Sequence, residues 1–347
     1  MAQPVVSYPG AKWRFYPYMV EYFPLDMKTF IEPFFGGGSV SLSVADDPRF
    51  TQLERMVGGD LYTEMWAMWN GIKSNPQLVY ETAVKWFRDA CPHQKELQDT
   101  GFIAETARQF LEGGSSADFR TSGEFDENTI KETKELIKLY NTAIDEGKNF
   151  WNWAESVQTE AMTLEQRAAR MLLVNKISFS GMGDSGSLSK DQFCNFKDEK
   201  LDTIFEAHKL LQRIEIYNVS FEETMKIGNE SPNDSFIFLD PPYAKQESSG
   251  LYGKGGSTHK GFPHQHFADY TMQMKCKWFV TYDDSVIVRK LFSGRTIEGK
   301  KACIIPFTIP GGYTMAGNTA EDALAGEELF ISNMDLKNAS DDEELDF

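Results

Sequence analysis

The sequence predicts an α/β fold whose sheet is interrupted by a mostly helical insertion, and three stretches carry that expectation. The first, "KTFIEPFFGGGSVSLSVA" at residues 28–45, reads as a strand through Thr29–Glu32, a glycine turn at Gly36–Gly38 and a helix starting near Ser39. A strand, a glycine-rich turn and a helix form the opening unit of a nucleotide-type α/β sheet. The second, "FIFLDPPYAK" at 236–245, runs four apolar residues into an acid, two prolines and a tyrosine. Phe236–Leu239 has the pattern of a strand buried on both faces, and Pro241 and Pro242 lack the N–H needed to continue pairing. Asp240 and Tyr243 therefore fall at a strand's carboxyl end, the edge where open α/β sheets bind ligands. The third covers residues 70–160, long helix-prone, acid-rich stretches such as "NTIKETKELIKLYNTAIDEG" with a Gly/Ser break at "EGGSSADFRTSGEF".

The remaining elements follow in order. "SYPGAKWRFYPYM" puts Tyr8, Gly10 and Lys12 in a turn before the first strand, where Lys12 either pairs with a carboxylate or faces water. "ERMVGGD" gives a second short strand ending at Asp60, and "LYTEMWAMWNGIKSNP" has helical spacing closed before Pro76. After the insertion, Thr163 and Gln166 are spaced as a capping box for an amphipathic helix. "KWFVTYDDSVIVRKLF" reads as a strand at Lys277–Tyr282 and then a helix, and "EELFISN" at 327–333 reads as a last strand. The boundaries expected are one discontinuous domain at 1–69 and 161–334, an inserted domain at 70–160, and an acidic, disordered tail at 335–347.

Composition narrows the function classes. With 347 residues and 41% apolar content, the chain can fill a substantial core. No apolar run approaches the ~20 residues needed to cross a bilayer, and the start lacks the pattern of a secretory signal, so a cytoplasmic protein of a bacterium or phage-infected cell is expected. Cys91, Cys194, Cys276 and Cys303 show no paired spacing, which argues for packing roles over a zinc knuckle or disulfides. The net charge of -17 opposes phosphate binding in sum but not in distribution. Six acids crowd the tail, whereas residues 244–301 carry ten Lys/Arg against five acids. That locally basic segment permits an anionic ligand.

The glycine turn lets a ligand approach backbone closely, because Gly36, Gly37 and Gly38 have no Cβ. Asp60 follows Gly38 by 22 residues at the end of the next strand. That is near the ~20-residue offset at which an acid accepts hydrogen bonds from ribose hydroxyls, so the pair points to an adenosine-containing cofactor. Asp240-Pro241-Pro242-Tyr243 meets a more specific need. An exocyclic amino group on a base is a poor nucleophile while its lone pair is delocalised into the ring. Asp240 and the Pro241 carbonyl can accept its two N–H bonds and free the lone pair. The prolines hold those acceptors rigid, and Tyr243 offers a face on which a base can stack. Such a pocket takes only a base flipped out of its duplex.

Together, "YPGAK" (8–12), "FIEPFFGGGSV" (30–40), "GGDLYTEMWAMWN" (58–70), "LLVNKISFSG" (172–181), "FIFLDPPY" (236–243) and "EELFISN" (327–333) resemble the DNA adenine methylase (Dam-like) family of S-adenosylmethionine-dependent N6-adenine methyltransferases, and their order resembles the alpha group. The resemblance implies a Rossmann-like class I methyltransferase sheet with residues 70–160 as a target-recognition subdomain. It also implies S-adenosylmethionine contacts from Tyr8, Gly10, Lys12, Asp60 and Asp240, with Phe34, Gly36, Gly38 and Ser39 around the methionine part. Asp240 to Tyr243 would hold the target adenine of double-stranded DNA. Lys245, Lys254 and Lys260, in a Gly/Ser-rich loop, are candidates for phosphate contacts. His259, His264 and His266 cluster without a fourth ligand, which favours a DNA-facing or lid loop over a metal site. Cytosine-C5 chemistry is disfavoured because no Pro-Cys occurs. N4-cytosine or RNA base methylation, and a non-catalytic binder keeping the fold, are the alternatives.

Overall fold

The computed structural model describes residues 4–8, 10–101, 127–244, 261–297, 300–308 and 327–336. The chain forms two compact units, one from Met1–Pro4, Gly10–Trp66 and Lys209–Phe347, the other from Val5–Pro9 and Ala67–His208. Lys245, Lys254, Lys260 and His259 lie outside the described residues, as does most of the acidic tail.

The first unit is organised by strands β1 (Thr29–Glu32), β2 (Arg55–Gly59), β3 (Ile214–Tyr217), β4 (Ser235–Leu239), β5 (Lys277–Asp283), β8 (Cys303–Thr308) and β9 (Glu327–Ser332) in one sheet of order β3-β2-β1-β4-β5-β9-β8. A separate two-stranded ribbon pairs β6 (Thr296–Ile297) with β7 (Lys300–Lys301). The first five strands of the large sheet run parallel, with Ile31 opposite both Val57 and Ile237. β9 enters antiparallel between β5 and β8, bringing Glu328 opposite Asp283 and Phe307. This mixed seven-stranded sheet with its helices is the α/β architecture expected from the sequence, and it agrees with the class I methyltransferase sheet that the resemblance implies.

Alternation along β4 explains why its residues are uninterruptedly apolar. Phe236 and Phe238 turn to one face, where the Phe23 ring lies 4.8 and 5.8 Å from theirs. Ile237 and Leu239 turn to the other, into a cluster with Ile31, Val57, Trp278 and Val280. With both faces covered, a parallel strand has no polar side to show. The chain leaves β1 toward β2 and β3, then returns on the other side of β1 to form β4. The carboxyl ends of β1 and β4 are therefore the topological switch point of the sheet.

The second unit is helical. Pro76–Ala90 starts with its proline in the first turn, and the Asn75 side chain accepts from the Leu78 N–H at 3.0 Å. Leu164–Ile177 starts at the expected capping box of Thr163 and Gln166. Phe87 packs its ring against Phe150, Phe193 and Phe196. Arg170 forms a buried ion pair with Asp184, 2.6 Å apart. Residue 160 does not end this unit, unlike the sequence-based boundary. Leu164–Ile177 packs against Pro76–Ala90, and a Cβ on Gly71 would stand 2.4 Å from the Leu164 carbonyl oxygen. Helices on both sides of residue 160 thus share one core, which the acid-rich composition of 70–160 did not signal.

Candidate active site

The glycine turn closes on the end of β2. Gly36 and Gly38 take φ of 44° and 64°, a left-handed backbone that a side chain would strain, and Gly38 directly precedes the Ser39–Asp46 helix. The Asp60 carboxylate spans the gap between strands, one oxygen accepting the Gly36 N–H at 2.8 Å and the other the Tyr62 N–H at 2.7 Å. Burial pushes this carboxyl up to about 6 against the pull of those two N–H groups. Glu32, the last residue of β1, caps the same helix by accepting from the Ser41 N–H at 2.9 Å and from the Ser41 hydroxyl. Burial raises Glu32 to about 8, the Ser41 bonds opposing and the Asp240 and Asp60 carboxylates adding to the rise.

Asp240 follows β4, and the Thr281 hydroxyl on β5 donates to its Oδ1 at 2.9 Å. Lys12 Nζ lies 3.0 Å from the same oxygen and donates to the Gly10 carbonyl at 2.8 Å. Among the described residues both contacts on Asp240 fall on Oδ1, so Oδ2 remains available as an acceptor. The Lys12 ammonium also stands 4.8 Å from the centre of the Tyr243 ring and 3.9 Å from Glu328 Oε1. Tyr243 donates its hydroxyl to that Glu328 oxygen at 2.8 Å. Lys12 is only 2% exposed. Burial disfavours its charge, yet the Asp240 and Glu328 carboxylates outweigh it and hold the amine above the ordinary lysine range. Burial likewise holds Asp240 above the ordinary carboxylate range, with Lys12 pulling down and Glu328 pushing up.

Two strand ends thus deliver one arrangement. A glycine turn braced by an acid sits beside an acid-Pro-Pro-Tyr turn whose free carboxylate oxygen and aromatic ring can receive a planar amine. The sequence profile of the D12 class N6 adenine-specific DNA methyltransferases matches residues 8–303. The chain belongs to this family. A curated relative, the Type II methyltransferase M.CviBI of Paramecium bursaria Chlorella virus NC1A, is 22% identical over 298 residues, covering 84% of this chain and 87% of the relative. This D12 class enzyme accordingly methylates adenine in DNA.

Several expected residues of the methyltransferase meet in its first unit. Gly10, Lys12, Gly36, Gly38, Ser39, Asp60 and Asp240 to Tyr243 all lie there, and Ser39 accepts the Lys12 backbone N–H at 3.2 Å. Lys12 takes the carboxylate-paired alternative. Phe34 is half-buried among Phe221, Phe262 and Phe267, with ring centres 5.5 to 5.8 Å away, a packing role that the sequence did not reveal. Tyr8 is half-buried in the second unit. His264 bonds the Tyr282 hydroxyl and His266 lies 3.1 Å from Glu222. Among the described residues no group of three or more His, Cys, Asp or Glu is placed to hold a metal ion, and no helix is long and apolar enough to cross a membrane. Thr281 and Glu328 were missed. Glu328 falls within "EELFISN", the segment read as a last strand, but the local pattern there does not distinguish a buried acid from a solvated one.

Proposed function

We propose that this adenine methyltransferase takes its methyl group from S-adenosylmethionine and delivers it to N6 of an adenine flipped out of double-stranded DNA, held by Asp240, Pro241, Pro242 and Tyr243. The observation that carries this reading is the placement of the Gly36–Gly38 turn and the Asp240–Tyr243 turn at the carboxyl ends of adjacent parallel strands. The donor set suits the cofactor. Asp60 and Asp240 are acceptors for ribose hydroxyls and for a cationic ligand, and the turn from Phe34 to Ser39 contains three glycines, none of which has a Cβ to hinder close approach. When bound, S-adenosylmethionine would supply a methyl carbon activated by its sulfonium.

The protein's own part is orientation and electrostatics. Asp240 Oδ2 accepts one N–H of the adenine amino group and the Pro241 carbonyl accepts the other, turning the nitrogen lone pair out of conjugation toward the methyl carbon. Tyr243 stacks on the base, and the Lys12 ammonium beneath its ring keeps that face from turning. As the N–C bond forms and the methyl–sulfur bond breaks, with the sulfur leaving as a neutral thioether, the nitrogen becomes cationic. Asp240 stabilises that charge and takes the proton that N6 gives up.

The helical second unit is the proposed reader of target sequence, and Lys245, Lys254 and Lys260 the proposed phosphate contacts. Likeness to a type II methyltransferase supports a place in a restriction-modification pair. Transfer of labelled methyl from S-adenosylmethionine to unmethylated DNA, followed by nucleoside analysis, tests the reading. N6-methyladenine is expected, and Asp240→Ala should lower the yield at least about 100-fold while the circular dichroism of the fold is retained. An active Asp240→Ala enzyme would overturn the role given to that carboxylate.

A further inference from the structure

Glu328 is a second carboxylate at the Asp240 turn, and burial makes it an unfavourable choice of residue for packing alone. It occupies the second position of β9, opposite Asp283 on β5 and Phe307 on β8, and is 1% exposed. A packing position there would be better met by an apolar side chain, since an ion taken from water loses several kcal/mol of solvation. Its Oε1 instead joins two groups of the site, accepting the Tyr243 hydroxyl at 2.8 Å and standing 3.9 Å from Lys12 Nζ. Lys12 in turn is 3.0 Å from Asp240 Oδ1, so Asp240, Lys12, Glu328 and Tyr243 are joined by polar contacts into one cluster. We propose that Glu328 is a positioning residue for methyl transfer, fixing the plane of the Tyr243 ring through its hydroxyl and setting the ionisation of Asp240 through Lys12.

The inference rests on the proposed role of the Asp240–Tyr243 turn. The ring of Tyr243 has one polar handle, and Glu328 holds it, so the stacking face is fixed at its far end as well as by the prolines. The charged and titratable groups facing Asp240 come from four elements. Lys12 lies in the short helix Lys12–Arg14, Glu32 ends β1, Thr281 is on β5 and Glu328 on β9. Asp60 acts on Glu32, and Asp283, opposite Glu328, accepts the Ala244 N–H at 2.7 Å. Of these, Glu328 is the like charge that opposes ionisation of Asp240, besides sharing Lys12 with it. Neutralising Glu328 leaves Lys12 to Asp240 alone, which favours the ionised acceptor at lower pH.

The test is the single-turnover rate of labelled methyl transfer to DNA across pH, for the wild type, Glu328→Gln and Tyr243→Phe, with melting temperature and cofactor affinity measured alongside. Glu328→Gln, measured at saturating cofactor, is expected to slow transfer at least about tenfold and to move the acid limb of the profile down by about half a unit or more. Tyr243→Phe, which removes the hydroxyl and keeps both charges, should slow transfer without moving the limb. A Glu328→Gln profile that falls uniformly with its acid limb in place, or a Tyr243→Phe rate equal to wild type, overturns the proposal. Should Glu328→Gln fail to fold, the Tyr243→Phe rate decides the positioning claim by itself. A wild type that makes no N6-methyladenine instead overturns the reading of the site on which the inference depends.

Discussion

Glu32 shows how one residue can serve the fold while weakening it in alkali. Its carboxyl holds a proton up to about 8 in the folded chain, whereas an exposed glutamate releases it near 4.5. Between those values the folded state binds more protons than the unfolded one, so stability falls as pH rises. Its contribution is fully present below the unfolded value and is lost on passing the folded one. Asp60, raised to about 6, adds a slope of the same sign over its own lower window. Each group contributes at most about 1.4 kcal/mol per pH unit. Urea unfolding at a series of pH values should therefore show stability declining from about 4 to about 8, with Glu32 carrying the part above about 6, and Glu32→Gln should flatten that upper part. An equal slope in the variant would show that Glu32 titrates normally. At this scale Asp60 and Asp240 were legible because turn-formers and strand ends fix where such acids sit. Glu328 was not legible, because its partners Tyr243 and Lys12 are 85 and 316 residues away in sequence.

At the scale of elements, the turn after β1 depends on how closely β2 can pass it. A Cβ on Gly58 would stand 2.3 Å from the Phe35 ring, and one on Gly59 2.1 Å from Thr224 Oγ1. β2 is thus flush against the glycine turn on one side and against the Phe221–Lys226 helix on the other. Gly58→Ala should lower stability by about 1–3 kcal/mol through overpacking and should weaken cofactor binding, because Phe35 begins the turn that Asp60 braces. Thermal melting and calorimetric titration read the two effects separately, and an unchanged melting temperature would show that Phe35 yields freely. The sequence marked the turn by its three successive glycines. It did not mark Gly58 and Gly59 as spacers, since glycines within a strand are legible only once their neighbours across the sheet are known.

For the whole molecule, the open question is how a chain of net charge -17 engages a polyanion. A local excess of base is the proposed means: residues 244–301 carry ten Lys/Arg against five acids and follow the Asp240 turn directly in sequence, while six of the 52 acids stand in residues 335–347. Replacing Lys245, Lys254 and Lys260 together with Ala should weaken DNA binding irrespective of sequence. It should also reduce the dependence of log affinity on log salt by about 3, one for each phosphate that is no longer neutralised. Fluorescence anisotropy over a salt series measures this, and an unaltered slope would place the phosphate-binding residues elsewhere.

The sequence by itself determined the α/β architecture, the strand and turn of the glycine segment, and the acid-Pro-Pro-Tyr turn at the end of β4. These are written in local pattern: alternation, turn chemistry and caps are dictated by residues close in the chain. Tertiary structure alone decided that Lys12 pairs with Asp240, that Phe34 packs among aromatics, that the helical unit continues to His208, and that Glu328 joins the site. Each of those depends on contacts between distant segments, and burial, which makes a charge costly or a ring unavailable, is set by the surrounding packing and not by the residue's own neighbours.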